Sequence, residues 1–132
     1  MLRFALLGVV VLLVAAGCGS SRKTYTATAT RACLTKDGAT IGGALDFVAS
    51  TALGGAFIAH MPGNPSDGNW ATIAFGSGDA DAIQLQLAYE RFAFPNVKQN
   101  IADVLKRYNN AVTLWHTHPA NSDLALVVNC LK

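Results

Sequence analysis

Two histidines, His116 and His118, are the residues whose type and spacing most suggest chemistry. They stand two positions apart in the stretch LWHTHP (residues 114–119), and alternate side chains of a strand point to one face of a sheet. Neutral imidazoles that close together can share a zinc or copper ion. His60, in another predicted strand, would supply a third ligand if the strands are neighbours. The alternative, which the rest of the sequence favours, leaves His116 and His118 at a strand end near solvent and His60 as an independent strand residue.

The H-x-H spacing resembles the start of the signature of the JAMM metalloproteases, in which two histidines and an aspartate hold zinc. At the positions where that family has its serine and its aspartate, this chain has Leu126 and Asn129, and its only glutamate is Glu90. The resemblance therefore ends just after HTHP. The sequence also contains no G-x-S-x-G elbow and no P-loop, so it favours no catalytic residue set.

The first residues have the pattern of an export signal. Arg3 gives a basic start, and residues 4–16 are apolar except for one glycine, a run shorter than the ~20 residues of a membrane span. Small residues then lead into Cys18 as AAGC, which resembles the lipobox of bacterial lipoproteins. That resemblance implies that residues 1–17 are cleaved and that Cys18 is acylated. The alternative is an ordinary signal peptide, which leaves Cys18 as a free thiol.

The lipoprotein resemblance also implies a location and a domain organisation. Acyl chains on Cys18 would hold the protein on the outer face of the cytoplasmic membrane or in the cell envelope, because each buried CH₂ contributes about 0.8 kcal/mol. Residues 18–27 would form a tether. Residues 28–132 would form a single domain, which we expect to be a monomer.

Cys33 and Cys130 are the other two cysteines, and they bracket almost the whole domain. Disulfides persist in exported proteins, so we predict a Cys33–Cys130 bridge. Closing a loop of about 100 residues would contribute on the order of 4–5 kcal/mol. The alternative is two unpaired, buried thiols.

The charge content argues against a nucleic-acid partner. Charged residues make up 14% of the chain, against a usual value of about 25%. Without residues 1–17 the chain keeps all eight acidic residues and loses only Arg3 of its ten basic ones, and so close a balance gives no basic patch. The expected partners are the membrane, through lipid on Cys18, and a protein or small ligand of unknown identity.

Hydrophobic periodicity and turn residues divide the domain into short elements. Helices are predicted in segments 29–38, 78–93, 100–110 and 121–132, with a strand as the alternative for the first and the last. Strands are predicted in 54–63 and 69–78, as a hairpin, and in 111–117, with a further short strand within 39–50.

These elements predict an α+β fold, with a small, mostly antiparallel sheet, helices on one face and the termini joined by the disulfide. The order of ACL, IAFG, a late LW strand and a final CL resembles small exported actinobacterial proteins of uncharacterised function, which implies no particular activity. The sequence thus favours a lipid-anchored extracytoplasmic domain that acts as a non-enzymatic binding or interaction module. The alternative is a metal-binding or metal-dependent hydrolytic protein that uses His60, His116 and His118.

Overall fold

Five antiparallel strands form the central sheet of the computed structural model, which describes residues 23–63, 68–93 and 100–132. Their order across the sheet is β1-β2-β3-β5-β4, and the predicted β2–β3 hairpin is confirmed. The predicted signal peptide and Cys18 lie outside the described residues. In chain order the strands are β1 (Thr40–Ile41), β2 (Ala56–His60), β3 (Trp70–Phe75), β4 (Leu105–Tyr108) and β5 (Ala111–Trp115).

Helices pack on both faces of this sheet, and not on one face as the sequence suggested. One face, here named the disulfide face, is covered by α1 and α5, and the other, here named the pocket face, is covered by α2 and α3. The α+β class itself is confirmed. The helices of the described ranges are α1 (Ala27–Lys36), α2 (Phe47–Ser50), α3 (Asp79–Phe92), α4 (Ile101–Val104) and α5 (Asn121–Cys130).

The central strands are apolar throughout because both of their faces are covered. On the disulfide face Ile73, Phe75 and Trp115 are at most 2% exposed. On the pocket face Ala74 and Val112 are fully buried. Successive side chains point to opposite faces of a sheet, and each large apolar side chain contributes about 1.5–3 kcal/mol when buried. The side chains of β3 (WATIAF) therefore pack into two hydrophobic cores, one on each face of the sheet.

Helix α1 forms where the sequence predicted a helix. The hydroxyl of Thr26 caps its start by accepting a hydrogen bond from the Ala29 amide at 3.3 Å, which satisfies one of the free donors of the first turn. After Lys36 the chain leaves through Gly38, whose φ of +96° is a left-handed conformation that glycine adopts readily. Tyr25 already packs against the core, so the packed domain includes part of the segment expected to be a tether.

The last segment is helical, and the alternative strand is wrong. Val127 and Leu131 of this segment are buried, whereas Val128 is 40% exposed. The helix begins after Ala120, which makes no side-chain capping bond, and Asp123 lies in the first turn, where a negative charge is favourable.

The two helices of the disulfide face are joined at the predicted disulfide. Cys33 of α1 and Cys130 of α5 have their Cα atoms 5.3 Å apart. The backbone amide of Thr26 also donates to the carbonyl of Lys132 at 2.6 Å. The residue that precedes α1 and the residues that follow α5 therefore lie side by side.

Segment 100–110 is not the single helix that its spacing predicted. It forms the short α4 and then β4, which pairs with β5 through a turn at Asn109 and Asn110. Asn109 has a φ of +50°, which asparagine tolerates better than most residues. Asn110 is buried, accepts from the Tyr25 amide at 2.7 Å and donates to the carbonyls of Tyr25 (2.8 Å) and Gly76 (3.0 Å). Strand pairing satisfies backbone groups of β4 that a short helix would leave free.

Candidate functional site

The predicted metal ligands His60 and His116 lie on either side of Trp70. The ring centroids of Trp70 and His116 are 4.6 Å apart and their planes differ by 14°, while those of His60 and Trp70 are 6.3 Å apart and tilted by 46°. The row runs across the sheet because His60 pairs with Trp70 in the β2–β3 register and the His116 amide donates to the Trp70 carbonyl at 2.9 Å. An indole ring, not a metal position, therefore lies between these two histidines.

His118 lies apart from this row. Its Nδ1 is 2.8 Å from an oxygen of Asp103, and both side chains are exposed. Strand β5 ends at Trp115, so the alternation expected to carry His116 and His118 onto one face does not reach them. The positions of these two residues agree with the alternative interpretation, in which they lie at a strand end near solvent.

Within the part of the chain that the structure describes, one group of three ligand-type side chains has its ligand atoms within 4.8 Å of one another, and it does not contain the histidines. The group is Cys33, Asp37 and Cys130, and its two sulfurs are already bonded to each other. The three-histidine site stays a prediction, and metal analysis of the purified protein tests it.

A different site is formed on the pocket face, at the start of α2 and the end of α3. It is a pocket of about 360 Å³, within the range of small-ligand sites. Most of its wall is hydrocarbon, and one side chain of the sheet, that of Leu114, contributes to it. The lining residues are Asp46, Phe47, Val48, Tyr89, Phe92, Ala93 and Leu114.

Two phenyl side chains of this pocket are open to solvent. Phe47 is 76% exposed and Phe92 is 62% exposed. Leu85 and Tyr89 of the same helix are buried, whereas Phe92 is not. Single exposed apolar side chains are common, but two aromatic ones beside the same pocket are available to contact a ligand.

The polar end of the pocket is a hydrogen-bonded pair of side chains. The Tyr89 hydroxyl donates to Asp46 Oδ2 at 3.0 Å, and Asp46 Oδ1 accepts from the Ala49 amide at 2.8 Å. Burial, followed by the charge of Asp46 and the hydrogen bond to it, raises the pKa of Tyr89 far above its usual value. The phenol is therefore a fixed donor, and Asp46 both caps α2 and places its carboxylate at the pocket.

Comparisons with other proteins do not assign this site. The chain matches no protein-family model, and neither the curated proteins nor the solved structures include one that matches it. Among the described residues, no helix has the length and apolar character needed to cross a membrane. The geometry of the pocket is therefore the basis for a functional proposal.

Proposed function

We propose that this chain is a lipid-anchored, extracytoplasmic binding module whose ligand site is the pocket between α2 and α3. The observation that carries the proposal is an apolar pocket of about 360 Å³ with two solvent-open phenyl groups beside it and one polar pair at its end. Sites for small ligands combine mainly apolar walls with a few well-placed polar groups.

The chemistry of the pocket supports binding rather than catalysis. The raised pKa of Tyr89 keeps the phenol protonated near neutral pH, so it can hold or orient a ligand but does not serve as a base. Asp46 accepts hydrogen bonds from Tyr89 and from the Ala49 amide, which fix its position. The remaining lining groups are hydrocarbon and do not take part in proton transfer or nucleophilic attack.

The extracytoplasmic part of the proposal rests on two features. The AAGC stretch before residue 19 resembles a lipobox, and the Cys33–Cys130 disulfide is a bond that persists in oxidising compartments. Expression of the full chain in a bacterium, followed by mass spectrometry of the membrane fraction, tests this part. We expect acyl chains on Cys18, and we expect Cys18→Ser to release the protein from the membrane. A wild-type chain without acyl groups would refute the anchor.

The binding part is tested with the full chain and a neutral naphthalene fluorophore whose emission rises in apolar surroundings. We expect Phe47→Ala to weaken probe binding about five- to tenfold, because an aromatic contact contributes about 1 kcal/mol beyond its buried area. Leu53→Ala is the matched control, since Leu53 is 75% exposed and does not line the pocket. Equal affinities in these two variants, or no binding to the wild type, would contradict the proposal.

A further inference from the structure

We infer that the pocket between α2 and α3 selects a small aromatic or alkyl ammonium ligand over neutral or anionic ligands of the same size. The inference rests on the proposed function and adds the chemical class of the ligand. It begins from the charge of the lining residues, because Asp46 is the one charged residue among them.

Asp46 has acceptor capacity left for a ligand. A carboxylate offers about four lone-pair sites, and two are used, by the Tyr89 hydroxyl and the Ala49 amide. Asp46 is also exposed, so its charge reaches the mouth of the pocket. A ligand cation placed there gains a charge-assisted hydrogen bond, whereas a ligand carboxylate meets repulsion.

The phenyl groups add to the same preference. Phe47 and Phe92 line the pocket together with Asp46, and the negative face of an aromatic ring attracts a cation. An ammonium group bound beside the carboxylate would thus have favourable aromatic neighbours, and its hydrocarbon part would lie against Val48 and Leu114. The same rings give no such advantage to an anion.

The volume sets the size of the ligand. A pocket of about 360 Å³ corresponds to about 12 groups the size of a water molecule, at roughly 30 Å³ each. One aromatic ring with a short alkyl ammonium chain fits this space. The part of a larger molecule that exceeds this volume would remain in solvent, because the pocket is open beside Phe47 and Phe92.

The test uses three ligands that differ only in their end group: 3-phenylpropylamine, 3-phenylpropanol and 3-phenylpropanoate. Each is titrated into the full chain, and binding is followed by NMR shifts of the Val48 and Ala49 amides. We expect the amine to bind about fivefold more tightly than the alcohol, since an exposed ion pair contributes up to about that factor. We expect the acid to bind more weakly than the alcohol.

Asp46→Asn removes the charge and keeps the cap of α2, because asparagine caps a helix as well as aspartate does. Its oxygen accepts from the Ala49 amide, and its NH₂ group donates to the Tyr89 hydroxyl. In this variant we expect the amine and the alcohol to bind with equal affinity. Asp103→Asn is the control that removes one negative charge outside the pocket, and it should keep the amine preference.

The outcomes separate this inference from the proposed function. If all three ligands bind equally to the wild type, or if Asp46→Asn keeps the amine preference, the inference is overturned while the pocket remains a binding site. If none of the three shifts the Val48 and Ala49 amides, the pocket is not a site for ligands of this size, and both proposals fail.

Discussion

Reduction of the Cys33–Cys130 disulfide should remove a large part of the free energy of unfolding. The two cysteines are separated by 97 positions in the sequence. In the chain-entropy model a loop of that length restricts the unfolded chain by about 16 cal/mol/K, or about 4.7 kcal/mol at 25 °C. Because domains of this size are stable by only about 5–15 kcal/mol, the reduced protein should be marginally stable.

The native contacts around the disulfide should survive its reduction. The Thr26 amide donates to the Lys132 carbonyl at 2.6 Å, and the Lys132 amide donates to the Thr30 hydroxyl at 3.3 Å. The expected loss therefore arises in the unfolded state, which becomes more expanded without the bridge. We expect the m-value for urea unfolding to increase for the same reason.

Urea unfolding of the oxidised and reduced protein measures the effect. With m between about 1 and 3 kcal/mol/M, a loss of about 4.7 kcal/mol should lower the midpoint by about 1.6–4.7 M. Cys33→Ala is the matched variant, since it removes the bridge at a half-buried position and keeps the fully buried sulfur of Cys130. This variant should unfold near the midpoint of the reduced wild type, and reductant should not change it further.

A loss below about 1 kcal/mol with an unchanged m-value would refute this reasoning. It would mean that the unfolded chain is already held compact without the bridge, so that closing the loop removes little entropy. An equal effect of reductant on Cys33→Ala would instead show that the reductant acts elsewhere.

Three further substitutions test other contacts. Tyr89→Phe should reduce the loss of stability at alkaline pH. The pKa of Tyr89 is raised in the folded state, so the stabilising effect of the phenol is complete below pH ~10 and is lost above it by about 1.4 kcal/mol per pH unit. Urea unfolding at roughly half-unit steps between pH ~9 and pH ~11 measures this slope, and equal slopes for the wild type and the variant would contradict the reasoning. Asn110→Ala should lower the free energy of unfolding by about 2–4 kcal/mol, because it leaves buried backbone groups without partners, and a loss under about 1 kcal/mol would be too small for that cause. Asp37→Asn should speed reduction of the Cys33–Cys130 disulfide by glutathione about fivefold at low salt. The Asp37 carboxylate lies 3.5 Å from the Cys130 sulfur, and its charge repels the attacking thiolate by about 1 kcal/mol. Equal reduction rates for the wild type and the variant in a kinetic assay would contradict this.

The parts of the fold that the sequence predicted are those with strong local signals. Apolar β-branched runs bounded by turn residues identified the β2–β3 hairpin, and a long segment with two aspartates in its first turn identified α3. The disulfide was predictable because the lipobox interpretation assigns Cys18 to lipid, and this leaves Cys33 and Cys130 as the one possible pair. Signals of this kind do not depend on which elements meet in three dimensions.

Segment 100–110 shows where local periodicity fails. Ile101, Val104, Leu105 and Tyr108 have helical spacing, yet only residues 101–104 are helical. The strand β4 exists because β5 lies beside it, and the Asn109–Asn110 turn makes that pairing possible. The paired asparagines were a turn signal of the kind found in hairpins, and they outweighed the helical pattern.

The candidate site could not be predicted because its residues come from three distant parts of the chain. Asp46 and Phe47 precede Tyr89 by about forty positions, and Leu114 follows on β5. Hydrocarbon side chains carry no motif, so nothing in the sequence marks them as a set. The histidines attracted attention because their chemistry is recognisable, but the position of Trp70 between two of them depends on the strand register.

The backbone bond between Thr26 and Lys132 bears on how this protein can be labelled. If lipid on Cys18 holds the chain at a membrane, Lys132 lies beside Thr26, where the chain from that cysteine enters the first helix. A fluorescent protein or affinity tag fused after Lys132 would then lie close to the bilayer, where it would crowd the domain and hinder the access of antibodies. A label attached through an engineered cysteine at an exposed position of α3, such as Gln84, would avoid that crowding.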